Sequence, residues 1–242
     1  MAPNELISQI IEAHEVFSLF GIRTFEMPGF EADDLIATLA QKMKTNPELR
    51  VVILTGDLDT LQIVEDEKIL VRTFKKGISD TLVYDEAAIR ERYGLEPRQL
   101  IDYKALVGDA SDNIKGVPGV GPKTASELLK KYGTLENLFA HLSDEPKFLK
   151  KAEGFRAQAK FARDLVRLEF NAPIEIERLD DLRVLERTGD LLAYFGKLGF
   201  DSLVKRMKES GPIGNAVLPG MALSDGAASP PEGGGRALSF VA

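Results

Sequence analysis

From Gly116 to Gly121 the chain reads Gly-Val-Pro-Gly-Val-Gly and runs straight into Pro122-Lys123-Thr124-Ala125. Neither a helix nor a strand continues through three glycines and a proline in six residues, so this stretch imposes a tight turn. Its glycines allow close backbone approach, and it opens into a helix expected over residues 123–132 and closed by Gly133. N–H groups at that helix start offer an anion site, to which Lys123 adds charge. The alternative is a purely structural turn between two helices. Gly116 and Gly121 have the spacing of a nucleotide-binding P-loop, but Pro122 intervenes before Lys123-Thr124 and no strand precedes, which argues against triphosphate binding.

The turn lies within a helical half that follows an α/β half. Upstream, Leu6, Ile7, Ile10, Ile11, Ala13, Phe17 and Phe20 recur at helical spacing and stop before Gly21. After Pro28 and Gly29, Leu35, Ile36, Leu39, Ala40 and Met43 form the apolar face of a second helix. Val51–Leu54 is a continuous apolar run of the kind expected for a buried parallel strand. Residues 69–73 and 81–84 read as two strands joined by a polar loop. From Asp85, a helix cap, the pattern is helical: to Tyr93 and Gly94, then over 97–107, 154–168, 187–198 and 202–208. Residues 211–242 hold 7 Gly, 4 Pro and 6 Ala, which predicts a flexible linker or tail.

Composition narrows the chemistry. With no cysteine and only His14 and His141, thiolate sites, zinc sites and histidine triads are disfavoured, and any metal must be held by oxygen. No apolar run approaches the ~20 residues needed to span a bilayer, and the N-terminus lacks the basic-then-apolar pattern of a signal peptide. A soluble, cytoplasmic protein is expected. The net charge of −7 at first argues against a nucleic-acid partner. Its placement does not: residues 1–103 carry 11 Lys+Arg against 19 Asp+Glu, whereas residues 104–164, around the glycine turn, carry 11 against 8.

Three acidic clusters sit at element ends: Glu31, Asp33 and Asp34 at a helix start, Asp57 and Asp59 just past the strand, and Asp109 and Asp112 in Gly-Asp-Ala-Ser-Asp-Asn. Each also has a local reading, as first-turn acids favoured by the helix dipole, as a cap of a short helix over 58–64, or as turn-forming Asx residues. Together they suggest convergence on divalent ions, because carboxylates cannot all ionise side by side without cations, and two-metal phosphoryl chemistry uses such sets.

The segments PGFEADDLIATLA, VVILTGDLDTLQIV, LVGDASDNIKGVPGVGPKTASELLKKYGTLENL and LGFDSLVKR resemble the 5′-nuclease domain of bacterial DNA polymerase I, within the flap endonuclease family. The resemblance covers residues 3–208. It implies a parallel-sheet, PIN-like α/β nuclease core (1–103), a helical helix-three-turn-helix DNA-binding subdomain (104–210) and the tail (211–242). It assigns Glu31, Asp33 and Asp34 to a first metal site and Asp57, Asp59, Asp109 and Asp112 to a second, holding two Mg²⁺ or Mn²⁺ ions. It assigns duplex-backbone contact to Lys115, Gly116, Val117, Gly119, Val120, Gly121, Lys123 and Thr124, with a K⁺ ion at the hairpin. The implied activity is 5′ to 3′ exonuclease and flap endonuclease hydrolysis of DNA in primer removal and repair, beside a polymerase domain and the nucleoid. Family members begin with two further strands, each ending in a metal-binding Asp, and a basic helical arch. Here the chain enters at the helix before Glu31, so an N-terminally incomplete core is expected, and the rival reading is a DNA-structure-binding module without turnover.

Overall fold

The computed structural model describes residues 4–66, 68–77, 80–145, 153–176, 179–182, 188–210 and 240–241. In chain order the elements are α1 (Asn4–Leu19), β1 (Arg23–Thr24), α2 (Ala32–Lys44), β2 (Val51–Leu54), β3 (Ile69–Lys76), β4 (Asp80–Tyr84) and α3 (Glu86–Tyr93). Then follow α4 (Leu100–Val107), β5 (Gly108–Asp109), β6 (Ile114–Lys115), α5 (Pro122–Tyr132), α6 (Leu135–Ala140) and α7 (Arg156–Val166). The last are α8 (Thr188–Lys197), α9 (Asp201–Ser210) and β7 (Phe240–Val241). They form two compact units, residues 1–35 with 172–242, and residues 36–171.

In the first unit Leu19, Leu191, Phe195 and Met207 form a small core, with Phe20 against Phe195 at a ring separation of 6.2 Å. In the N-terminal half of α1, Leu6, Ile7, Ile10 and Ile11 are exposed. β1 pairs in parallel with β7, matching Arg23 to Phe240 and Thr24 to Val241. These two residues depart from the flexible tail expected from the composition of 211–242, because their main chains are tied into a ladder. The remainder of that tail lies outside the described residues.

In the second unit β2 pairs in parallel with β3, and β3 pairs antiparallel with β4. The strands fall where the apolar runs predict them, but β2 is not buried on both faces. Val51 and Ile53 are buried, whereas Val52 and Leu54 are 46% and 52% exposed. Among the described residues β2 is an edge strand of a three-stranded sheet, and only one of its faces is packed. Asp85 caps α3 by accepting from Ala88 N–H at 2.7 Å, and Gly94, with φ of +66°, ends it.

The helical half has its own core around α4, built from Ala105, Leu106, Val117, Val120, Ala125, Leu128, Leu129, Leu135, Leu138 and Ala159. Complete burial of a leucine contributes about 1.5–3 kcal/mol, so this cluster fixes the arrangement of α4 to α7. Polar groups finish the helix ends. Gln99 Nε2 donates to the carbonyls of Leu129 and Gly133 at the C-terminus of α5. Asp102, buried on α4, accepts from Leu135 N–H at 2.9 Å and pairs with Arg163 of α7 at 2.7 Å. Desolvation raises the Asp102 pKa, against the opposing pull of that N–H and of Arg163.

Candidate metal centre and nucleic-acid interface

β2 ends in Thr55-Gly56-Asp57-Leu58-Asp59, where side chains close a tight turn. Thr55 Oγ1 accepts from Asp57 N–H at 3.0 Å, and Asp57 Oδ1 accepts from Asp59 N–H at 2.9 Å. The short helix that follows spans Asp59–Ile63 and takes no side-chain cap, so Asp57 acts as an Asx turn, not as the cap of a helix over 58–64. Asp59 is thereby set at the head of that helix, half-buried, while Asp57 remains exposed.

The third acidic cluster is positioned by the end of α4. Gly108, with φ of +87°, turns the chain out of the helix into a two-rung ladder, Gly108 opposite Lys115 and Asp109 opposite Ile114. The loop between carries Asp112. Asp109 Oδ1 accepts from Ser111 N–H at 2.9 Å and from the Ser111 hydroxyl, while Oδ2 accepts from Lys104 Nζ at 2.7 Å. Burial pushes the Asp109 carboxyl up, but the Lys104 and Ser111 hydrogen bonds outweigh it and hold the pKa at about 2.

These turns bring Asp59, Asp109 and Asp112 together, each offering a carboxylate oxygen within 4.8 Å of the others. A set of carboxylate oxygens fits a hard divalent cation such as Mg²⁺ or Mn²⁺ and no soft metal. Asp57 is not one of the three; its carboxylate holds the turn. Glu31, Asp33 and Asp34 belong to the other unit at the start of α2, where Asp34 Oδ2 accepts from Glu31 N–H at 3.2 Å in half of a capping box.

The glycine hairpin is fastened from below. Val117 N–H donates to Leu106 O at 2.8 Å, and Val120 N–H to Val117 O at 3.0 Å. The Val117 and Val120 side chains are 3% and 5% exposed, so they anchor the hairpin in the core and leave only their main chains for contact. Gly116 lies against the end of α4, where an added Cβ would fall 2.3 Å from Val107 C and 2.4 Å from Gly108 N. Lys115, Gly119, Gly121, Lys123 and Thr124 are exposed. Helix α5 opens at Gly121 with no side-chain cap and with Pro at its first turn, so the N–H groups of Lys123 and Thr124 head it.

Three residues without a local sequence signal complete this unit. Lys104 pairs with both Asp59 and Asp109. Buried Gln62 donates to the carbonyls of Asp59 at 2.9 Å and Val166 at 3.0 Å, and accepts from Leu168 N–H. Gln158 of α7 donates to the carbonyls of Lys115 and Gly116 at 3.1 Å each, bracing the hairpin.

Among the described residues no helix is long and apolar enough to cross a membrane. Residues 1–94 match the family model of the 5′-3′ exonuclease N-terminal resolvase-like domain, and residues 95–189 that of the 5′-3′ exonuclease C-terminal SAM fold. The DNA polymerase I of Bacillus caldotenax is 39% identical over 210 residues, covering 85% of this chain and 24% of that protein. The DNA polymerase I of Mycobacterium bovis is 47% identical over 136 residues, covering 56% of this chain and 15% of that protein. The chain thus spans about a quarter or less of these curated relatives. A solved T5 5′-exonuclease with bound zinc ions has a TM-score of 0.52 at 22% identity, covering 73% of this chain and 61% of that one, a likeness of fold. Two adjoining models of one family account for residues 1–189, and the chain belongs to the 5′-3′ exonuclease family.

Proposed function

We propose that this chain is the 5′ to 3′ exonuclease and flap endonuclease part of a DNA polymerase I, hydrolysing DNA phosphodiesters at a duplex 5′ end or 5′ flap. The observation that carries the reading is the meeting of Asp59, Asp109 and Asp112, whose loop leads within a few residues into the hairpin at Gly116. Asp59, Asp109 and Asp112 would hold one divalent ion, Mg²⁺ or Mn²⁺, and Asp57 sets the turn that aims Asp59. Glu31, Asp33 and Asp34 are proposed for a first site of the two-metal set. A divalent ion in such a site supplies Lewis acidity and a nucleophilic water at neutral pH.

The protein's own contribution is positioning. Ser111 and the Asp109–Ile114 ladder orient Asp109. The exposed turn of Gly119 and Gly121, with Lys123, Thr124 and Lys115, presents main-chain N–H groups and two ammonium groups to the DNA backbone, reading charge and shape over base sequence. A K⁺ ion between hairpin and phosphate belongs to the same reading, as do a division of labour near residue 103, a role in primer removal and repair, and a place beside the polymerase at the nucleoid.

A labelled 5′-flap duplex with Mg²⁺ tests this. Cleavage lost in Asp59→Asn and Asp109→Asn, with duplex binding kept, supports the enzyme. Binding without cleavage by the unaltered chain favours a DNA-structure-binding module. Absence of salt-dependent DNA binding overturns both readings.

A further inference from the structure

The acidic cluster contains a cation of its own. Lys104, in the last turn of α4, sends its ammonium between two of the three converging carboxylates, pairing with Asp59 and, at 2.7 Å, with Asp109. The arrangement is sheltered, with the Lys104 side chain 19% exposed and those of Asp59 and Asp109 14% and 12%. Lys104 shares a small cavity with Leu58, Asp59, Gln62, Tyr93, Leu100 and Tyr103. Asp112, the third carboxylate, is exposed and outside these ion pairs.

Two requirements meet at this point. Carboxylates whose oxygens lie within 4.8 Å repel one another and need positive charge between them to stay together. A divalent ion drawing oxygens from both Asp59 and Asp109 must share with the ammonium the two carboxylates to which it is bonded, at the shorter distances of metal coordination. Ammonium and metal therefore compete for the same two acceptors.

We infer that Lys104 is the built-in counter-ion of this cluster, a positioning residue that holds Asp59 and Asp109 together ahead of metal binding and is displaced from between them when a divalent ion enters. The inference rests on the metal-site reading above. Displacing a bonded ammonium opposes metal entry, and leaving a positive charge nearby opposes it further. Replacing Lys104 by an uncharged side chain of similar length therefore tightens divalent binding and loosens the metal-stripped site.

The test uses the full chain and Mn²⁺ alone as probe. By titration calorimetry Lys104→Met binds Mn²⁺ about tenfold more tightly than the unaltered chain, as expected for removing one like charge within a few ångströms of the ion. Lys104→Arg, which keeps the charge, stays near the unaltered affinity, and Lys160→Met, which removes an exposed charge from α7, does not change it. A second measurement needs no variant. Amine acetylation read by mass spectrometry labels Lys104 slowly in metal-stripped protein and faster once Mn²⁺ saturates the site. Mn²⁺ binding that is unchanged or weaker in Lys104→Met, or Lys104 labelling indifferent to saturating Mn²⁺, overturns the inference while leaving the metal site in place. Failure of the unaltered chain to bind Mn²⁺ removes the metal-site reading, and the inference with it.

Discussion

Two loops that flank the β5–β6 ladder are held in opposite ways. The acidic cluster is kept in place by charge: Lys104 pairs with Asp59 and Asp109, and Ser111 donates to Asp109. The glycine hairpin is kept in place by contact: Gly116 against the main chain of Val107 and Gly108, Val117 and Val120 in the core, Gln158 bracing two carbonyls. A region set by charge can change its occupant with little cost to the fold, whereas one set by close backbone contact cannot. In folding stability the carboxylates proposed to hold metal tolerate isosteric replacement, and the hairpin scaffold does not.

The sharpest way to break this contrast is Gly116→Ala. Its Cβ would sit 2.3–2.5 Å from three main-chain atoms, so backbone has to shift. Urea denaturation should show a loss of about 3 kcal/mol or more, at the upper end for overpacking. Gln62→Leu comes next. It orphans the Leu168 N–H and removes donors from two carbonyls, one of them that of Asp59. A loss of about 2 kcal/mol is expected by the same measurement. Asp112→Asn marks the other side of the comparison. Its exposed carboxylate should change stability by less than about 0.5 kcal/mol. Calorimetry should nonetheless show Mn²⁺ affinity falling at least about tenfold, no less than is typical for loss of a supporting group at a metal. Lys123→Ala, exposed at the head of α5, should be the mildest. Its unfolding midpoint should not move, and the slope of log affinity for duplex DNA against log salt should fall by about 1.

The same contrast governs what the sequence reveals. Hairpin and helix ends were legible because their signals are local: glycine and proline in Gly116–Pro122, Asp85 ahead of α3, Gly94 and Gly133 behind their helices. The acidic residues are legible as three clusters at element ends, and Asp59, Asp109 and Asp112, from two of those clusters, do converge. Their partners are not. Lys104 is one lysine in the helix Leu100–Val107, and its meaning comes from Asp59, 45 positions upstream in the chain. Gln62 acts through Val166 and Leu168, more than 100 residues away. The apolar run of β2 reads as buried throughout, yet Val52 and Leu54 face outward, since a four-residue run does not record which of its faces a neighbour covers. Composition misdirected in one respect: the net charge of −7 averages an acidic first part with a basic surround of the hairpin.

The proposed division of labour gives Asp59, Asp109 and Asp112 the chemical step and the Gly116–Lys123 hairpin the grip on DNA. Single-turnover cleavage of a 5′-flap duplex in Mg²⁺, followed as a function of protein concentration, separates the two in one data set. Asp112→Asn is expected to lower the rate at saturation with little change in the half-saturating concentration. Lys123→Ala is expected to raise that concentration several-fold and to leave the saturating rate near that of the unaltered chain. Both variants moving the same parameter, or a saturating rate indifferent to Asp112, would contradict that division.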